Sequence, residues 1–308
     1  MRQENMICDV ETGLCGEADG EEMETFQFNQ PKKEIDIYYV TDPICSHCWA
    51  LEPVLRRFLT QFEQYFKLHT VMGGLLEKWS DTSVDPANGI SGPADVVGHW
   101  KEVGEHSRMP IDGSLMADDY VTSSYPPSRV FKVIQKEYND NLAYTFLRHA
   151  REALFAFNRN ISDAAILIEL IEGLGLDGEK IVQQADSALG HQLLEEDFNL
   201  KDSLGVRGFP TIIMVNQEGQ GIKIVGARTF EDYVSGLQQV LPSETLAPKQ
   251  VPAFADLLKQ ENLLFSKEVE ALYDLENSQV QSFAEKELAT ADYQVHELLG
   301  EQYYTLKK

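Results

Sequence analysis

Ile35-Asp36-Ile37-Tyr38-Tyr39-Val40-Thr41-Asp42-Pro43-Ile44-Cys45-Ser46-His47-Cys48-Trp49 joins a β-rich apolar run, a stop and two cysteines three positions apart. Residues 35–40 read as a buried strand, and Asp42-Pro43 ends it. Beyond it Leu51, Val54, Leu55, Phe58, Leu59 and Phe62 recur at helical spacing, which predicts a helix to residue 65. The cysteine pair therefore opens a helix directly after a strand. A helix N-terminus carries about half a unit of positive charge and several unpaired N–H donors. A thiolate at Cys45 would accept from those donors, so a lowered pKa is expected there. Spacing of three along the first turn sets Cys48 beside it, within reach to resolve a mixed disulfide. His47, when protonated, would add positive charge and favour the reduced form. Trp49 reads as a packing residue flanking the pair, or as a shield for the sulfur. A lone C-x-x-C is also half of a four-cysteine zinc site, but there is no second one, and Cys8 and Cys15 are spaced by seven. Redox geometry is the preferred reading.

Residues 68–72 read as a second strand, closed by Gly73-Gly74. From 75 to 195 the character changes: Gly89, Gly92, Pro93, Gly113, Pro126 and Pro127 punctuate short helical segments. Ser162 is expected to cap a helix carrying Ile166, Leu167, Leu170 and Ile171, with Gly173 as its C-terminal cap. A helix at 193–204 leads to two runs, 205–215 and 222–225, which make a hairpin, and to a further helix at 229–241. The order is strand, helix, strand, helical insert, strand, strand, helix. It predicts an α/β thioredoxin-type layer (34–74 and 196–241) with an inserted helical domain (75–195). Residues 1–33 form an acidic arm without clear period, read as loosely ordered. Pro242, Pro248 and Pro252 mark a linker into a helical tail (242–308), whose apolar stripes include Phe254, Leu257, Leu258 and Leu264, then Val280, Phe283, Ala284 and Leu288.

The chain has 308 residues, room for about two domains of roughly 150 residues. Hydrophobic residues at 43% and charged ones at 25% are those of an ordinary globular protein. Twenty-six Lys and Arg against 50 Asp and Glu leave −24. That surface repels phosphate backbones and anionic lipid, so neither nucleic acid nor membrane is expected as a partner. Asp9, Glu11 and Glu17 interrupt the N-terminus where a signal peptide would be apolar. The longest apolar run, 164–176, is broken by Glu169 and Glu172. A cytoplasmic protein is expected. Cytosolic thiols are kept reduced, so paired cysteines there are catalytic, sensing or metal-binding rather than structural.

Phe209-Pro210-Thr211 directly precedes a strong strand run. Together with a C-x-x-C at a helix start, it favours a cis bond before Pro210. The strand, Cys45-Ser-His-Cys48, the helical insertion and Gly205-Val-Arg-Gly-Phe-Pro210-Thr resemble the DsbA family of thioredoxin-fold proteins, over residues 35–241. Asp42-Pro-Ile-Cys-Ser-His-Cys-Trp-Ala-Leu-Glu-Pro53, Ser123-Ser-Tyr-Pro, Phe146-Leu-Arg and Asn160-Ile-Ser-Asp163 are similar to its cytosolic branch of FrnE-like dithiol oxidoreductases and YjbH (SpxH)-type ClpXP adaptors. Ser266-Lys-Glu-Val-Glu-Ala-Leu-Tyr-Asp-Leu275 resembles the adaptors' C-terminal region. The resemblance implies Cys45 as the attacking cysteine, Cys48 as the resolving one and Pro210 as the cis proline facing them. With His47 these are the candidate catalytic residues; Phe209, Thr211 and Trp49 are the candidate substrate-binding ones. No cofactor is implied. Ser46 departs from the proline of classical periplasmic members, and so does not carry over their strong oxidising power.

Other signals carry less. Gly173-Leu-Gly175-Leu-Asp-Gly178 fits GxGxxG but follows a helix, and reads as a cap plus loop. His99, His106, His149 and His191 have no partner at ligand spacing. Asp36 is a candidate buried proton acceptor under the pair, or a solvated strand-end carboxylate. Cys8 and Cys15 are zinc candidates, a mutual disulfide, or exposed thiols; the adaptor relatives' metal-binding N-terminal segments favour testing zinc. Two functions follow. The first is a thiol–disulfide oxidoreductase acting on protein thiols and disulfides. The second is an adaptor presenting a regulator such as Spx to ClpXP.

Overall fold

The computed structural model describes residues 8–9, 14–15, 35–79, 89–288 and 292–307. In the acidic arm, β1 (Cys8–Asp9) and β2 (Leu14–Cys15) pair antiparallel with Cys8 opposite Cys15. The side chains of both cysteines, and the rest of the arm, lie outside the described residues.

Strand β3 (Ile35–Thr41) shows why the fold forms. Its side chains alternate between faces. Ile35, Ile37 and Tyr39 enter one core with Leu51, Leu55, Phe58, Tyr233 and Leu237. Tyr38 and Val40 enter another with Val71, Val206 and Ile213. Apolar side chains on both faces require a central strand, and β3 is one. It pairs parallel with β4 (Phe66–Met72) and antiparallel with β5 (Thr211–Val215), and β6 (Gly221–Val225) completes the order β4-β3-β5-β6. The parallel step needs a crossover, which α1 (Ser46–Phe62) supplies; α9 (Phe230–Val240) packs on the same face.

Between β4 and β5 the insert runs through α2 (Pro93–Ser107), α3 (Leu115–Asp118), α4 (Tyr125–Glu137), α5 (Asp140–Arg151), α6 (Ala164–Glu172), α7 (Gly178–Ala185) and α8 (Ala188–Ser203). Its core holds Phe131, Phe146, Leu154, Phe155 and Ile171. Asn139, Asp163, Asp177 and Ser187 cap α5 to α8 through side-chain oxygens. The cap of α6 is thus Asp163, not Ser162, whose hydroxyl instead accepts from Thr122 N (2.9 Å). Gly173 keeps a right-handed conformation, and the left-handed residue of that loop is Gly175 (φ 76°). The expected boundary at 195 falls inside α8, whose Asp197 carboxylate accepts from Met72 N of β4 (2.7 Å). A single helix therefore serves both insert and sheet.

Helices α7 and α8 meet at Gly190, where an added Cβ would lie 2.1 Å from the Ala185 carbonyl oxygen. Backbone cannot yield there as a side chain would. Gly190→Ala is expected to destabilise the fold by about 1–3 kcal/mol, read as a lower urea midpoint; an unchanged midpoint would contradict the close approach.

Residues 254–306 differ from the expected helical tail. Besides α10 (Phe254–Glu261), α11 (Ser266–Tyr273) and α12 (Asn277–Glu287), they form β7 (Leu263–Phe265), β8 (Tyr293–Leu298) and β9 (Glu301–Leu306) in the order β7-β9-β8. Leu299 (φ 52°) and Gly300 (φ 82°) make the tight turn between β8 and β9. Two left-handed residues suit a two-residue hairpin, but leucine is not a residue that announces one. This C-terminal lobe has its own core, with Phe254, Leu258, Leu264, Val269 and Tyr304. It packs on α1 through α11.

Candidate functional site

The two cysteines sit where β3 hands over to α1. Cys45 is the N-cap in extended conformation, and its carbonyl accepts from Cys48 N (3.0 Å) and Trp49 N (3.1 Å). Asp42 fixes the loop before it. Its carboxylate, fully buried, accepts from Ile44 N (3.0 Å), Leu75 N (2.7 Å) and Ser124 Oγ (2.9 Å). Burial pushes this carboxyl up to about 6 against those hydrogen bonds. Opposite the pair, the Phe209–Pro210 bond is cis. The Phe209 carbonyl oxygen lies 3.9 Å from Cys45 Sγ, and the Phe209 ring fills the space over Gly73, where an added Cβ would clash at 2.2 Å.

Cys45 is 6% exposed and Cys48 fully enclosed, both as free thiols. Access to the Cys45 sulfur is therefore narrow. One hydrogen bond couples the two thiols. The hydrogen bond to Cys48, then burial, raise Cys45 well above an ordinary thiol. Burial opposes ionisation of Cys48 too, but the Cys45 hydrogen bond, Arg151 and the Thr41 hydroxyl outweigh it and lower Cys48. The cation responsible is Arg151, the last residue of α5, fully buried. Sequence reasoning passed over it because the insert, 103 positions beyond Cys48, delivers it. Its only ion-pair partner among the described residues is Glu52 (Nη1–Oε2 3.2 Å), whose other oxygen accepts from Tyr144 Oη (2.8 Å).

The remaining candidates divide. His47 is exposed on the first turn, with its ring 5.4 Å from His99 of α2, a partner sequence spacing could not show. Asp36 is the solvated strand-end carboxylate, bound to His69 Nε2 (2.6 Å) at the end of β3 remote from the cysteines. Trp49 is not placed for substrate. One helical step past Cys48, it points into the insert core, donates Nε1–H to Pro110 O (3.0 Å) and packs against Phe155 and Phe265. Thr211 is likewise enclosed, laddered to Val40 on one side and Val225 on the other. Of the three substrate-binding candidates, only Phe209 stands at the sulfur. Gly173 to Gly178 join α6 to α7, as the cap-and-loop reading has it. Among the described residues no group of three or more His, Cys, Asp or Glu is placed to hold a metal, and no helix is long and apolar enough to cross a membrane.

A C-x-x-C at a helix start facing a cis-proline, on a β4-β3-β5-β6 sheet with a helical insertion, defines a DsbA-like thioredoxin-fold protein. The chain belongs to the thioredoxin family, whose profile matches residues 38–235, in the branch that holds the SpxH adapters. ClpXP adapter protein SpxH of Halalkalibacterium halodurans is 30% identical over 286 residues, which cover 91% of this chain and 89% of the relative. ClpXP adapter protein SpxH of Bacillus subtilis is 26% identical over 260 residues, covering 83% and 84%. Solved structures share the fold. A putative protein disulfide isomerase from Nitrosomonas europaea aligns with TM-score 0.56 at 19% identity, covering 68% of this chain and 97% of its own. Cytosolic disulfide reductase DsbM from Pseudomonas aeruginosa aligns with TM-score 0.54 at 18% identity, covering 68% and 100%.

Proposed function

We propose that this protein is a cytoplasmic adaptor that binds a regulatory protein such as Spx and presents it to the ClpXP protease. The observation that carries this reading is the C-terminal lobe, residues 254–306, built against α1. A match over 91% of the chain runs into that lobe, and the relatives so matched are named ClpXP adapters. The oxidoreductase-type structures cover only 68% of the chain. The enclosed cysteines point the same way, because binding a folded partner does not require an open sulfur. The reading is tested by degradation of a purified Spx-type regulator by ClpXP with and without this protein. Acceleration is expected, and it should survive in a Cys45→Ser, Cys48→Ser double variant. A degradation rate unchanged by the protein would sink the adaptor reading.

A second reading has its own observation: the free Cys45/Cys48 pair facing a cis Pro210 supports dithiol–disulfide exchange with protein thiols. Insulin reduction should then be lost in Cys45→Ser. Equal rates in variant and parent would reject this activity. Cys8 and Cys15 remain zinc candidates, and bound zinc unaffected by Cys8→Ser and Cys15→Ser would remove them.

A further inference from the structure

In a chain of net charge −24, a cation without a carboxylate is the exception. Among the described residues every arginine holds a carboxylate except two, Arg207 and Arg228. Both are exposed, and each stands on one of the two segments that meet at the cis Phe209–Pro210 bond. Arg207 comes two residues before Phe209, whose carbonyl oxygen lies 3.9 Å from Cys45 Sγ. Arg228 arrives from β6: Gly226 N donates to Pro210 O (2.8 Å), and Arg228 follows two residues on. Lys223 of β6 ties the two segments together, donating from Nζ to Leu204 O (2.6 Å) and Gly205 O (3.0 Å) just ahead of Arg207. The same patch carries apolar surface. Val225, paired with Thr211 and 52% exposed, shares the outward face of β6 with Lys223, and Phe209 is half-buried.

We propose that this patch docks an acidic segment of the protein partner, with its carboxylates on Arg207 and Arg228 and an apolar side chain on Val225 and Phe209. The proposal names the partner chemistry that the adaptor reading leaves open, and it rests on that reading. An exposed guanidinium offers a carboxylate a planar fork of donors and stays charged at every working pH. Charges beyond about 8 Å are screened at physiological ionic strength, so the acidic remainder of the chain does not cancel this patch. Close to the rest of the surface the same segment meets like charge, which confines it to the one place where the sign is reversed. A small anion would need only the arginines. Exposed Val225 and half-buried Phe209 beside them suit a peptide, which brings apolar and acidic side chains together.

The carboxylates nearest these arginines in sequence do not neutralise them. Asp202 is held by Lys201 (2.8 Å). Asp232 caps α9, accepting from Thr229 N (3.1 Å) and Thr229 Oγ1 (3.0 Å). Glu231 is exposed on the first turn of the same helix and makes no ion pair with either arginine. The Lys223 ammonium is turned onto backbone carbonyls at the end of α8, so it adds charge to the patch while the arginines supply its free donors.

The test is fluorescence anisotropy of the full chain at low ionic strength with a fluorescein-labelled peptide alternating glutamate and leucine, beside the same peptide with glutamine for glutamate. The glutamate peptide is expected to bind more tightly despite the net charge of the chain, and to weaken as salt is added. Arg207→Gln and Arg228→Gln should each weaken it about two- to fivefold, and the double variant about tenfold. The glutamine peptide should not respond to either. Lys136→Gln, which removes an exposed charge at the end of α4, is the control and should change nothing. In the degradation assay the double variant should deliver the Spx-type regulator to ClpXP more slowly than the parent. A glutamate peptide that binds no better than the glutamine one, or a double variant that binds it as the parent does, would overturn the proposal. Arginine-dependent peptide binding by a protein that leaves degradation unchanged removes the adaptor reading and keeps the docking site. Accelerated degradation with peptide binding indifferent to both arginines does the reverse.

Discussion

Glu268→Ala is expected to cost about 3 kcal/mol, the scale of losing a carboxylate's hydrogen bonds to a buried guanidinium. Glu268 is fully enclosed at the start of α11 and holds Arg148, itself buried, through Nη1 and through Nη2 (3.0 Å to Oε2). The same carboxylate accepts from Phe265 N (3.0 Å), satisfying a backbone N–H at the start of α11. Burial would raise this carboxyl, but Arg148 and Arg56 outweigh it and hold it below its ordinary value. A depressed folded value means the stabilisation is present above the unfolded carboxylate pKa and lost as pH falls through the folded one. Alanine removes it at every pH and leaves Arg148 only its looser contacts with Glu152 and Glu261. The expected signature is a lower urea midpoint together with faster protease cleavage within 254–306, because this contact seats the lobe on α1. Lys259→Ala is the control: its exposed pair with Asp256, at 3.7 Å, should be worth under about 1 kcal/mol. Equal effects of the two substitutions would show that Glu268 is not a buried anchor.

What the sequence made legible and what it hid follow from where the information is local. Strand β3, helix α1, the β5–β6 hairpin and helix α9 each announce themselves through period-two or helical spacing within a dozen residues, and all four form. The start of α1 follows from Asp42-Pro43 and the cysteines, and the cis Phe209–Pro210 bond from its pairing with them. The residues that set the electrostatics of the site are not local. Arg151, Glu52 and Tyr144 come from two helices, and a charged residue on an amphipathic helix reads as solvent-facing until its partner is seen. Several stretches that carried the family resemblance turn out to be structural. Ser124 ties down Asp42, Arg148 anchors the lobe, and Asp163 caps α6. The lobe's strands were hidden because β8 has only one buried residue, Tyr293. Its period-two signal is too weak to stand apart from a helical tail. Those strands bring the lobe to the cysteines: β7 sets Phe265 edge-on against Trp49, the residue after Cys48 (5.7 Å). The lobe and the segment that carries the dithiol therefore meet at one aromatic contact.

The cluster under the lobe also contains one carboxylate too many. Arg56 and Arg148 supply two positive charges; Glu152, Glu261 and Glu268 supply three negative ones. Glu152 is the member least well served. Its Oε1 lies 2.9 Å from Arg148 Nη2 but outside hydrogen-bonding alignment. Burial, with Glu268 and Glu261 nearby, pushes it up to about 7 although Arg148 opposes this. A raised folded value puts the stability contribution below the unfolded carboxylate pKa, and it is lost as pH rises through about 7. The rise from 4.5 to about 7 corresponds to roughly 3 kcal/mol at about 1.4 kcal/mol per pH unit. Glu152→Gln fixes the neutral form in nearly the same shape. The variant should therefore match the parent near pH 5 and exceed it by about 2–3 kcal/mol near pH 8. Chemical denaturation at several pH values measures this, and the informative quantity is the difference between the two proteins, because Asp42, at about 6, gives both the same residual slope. Parent and variant curves running parallel from pH 5 to pH 8 would mean that Glu152 is ionised throughout and that its partners neutralise it fully.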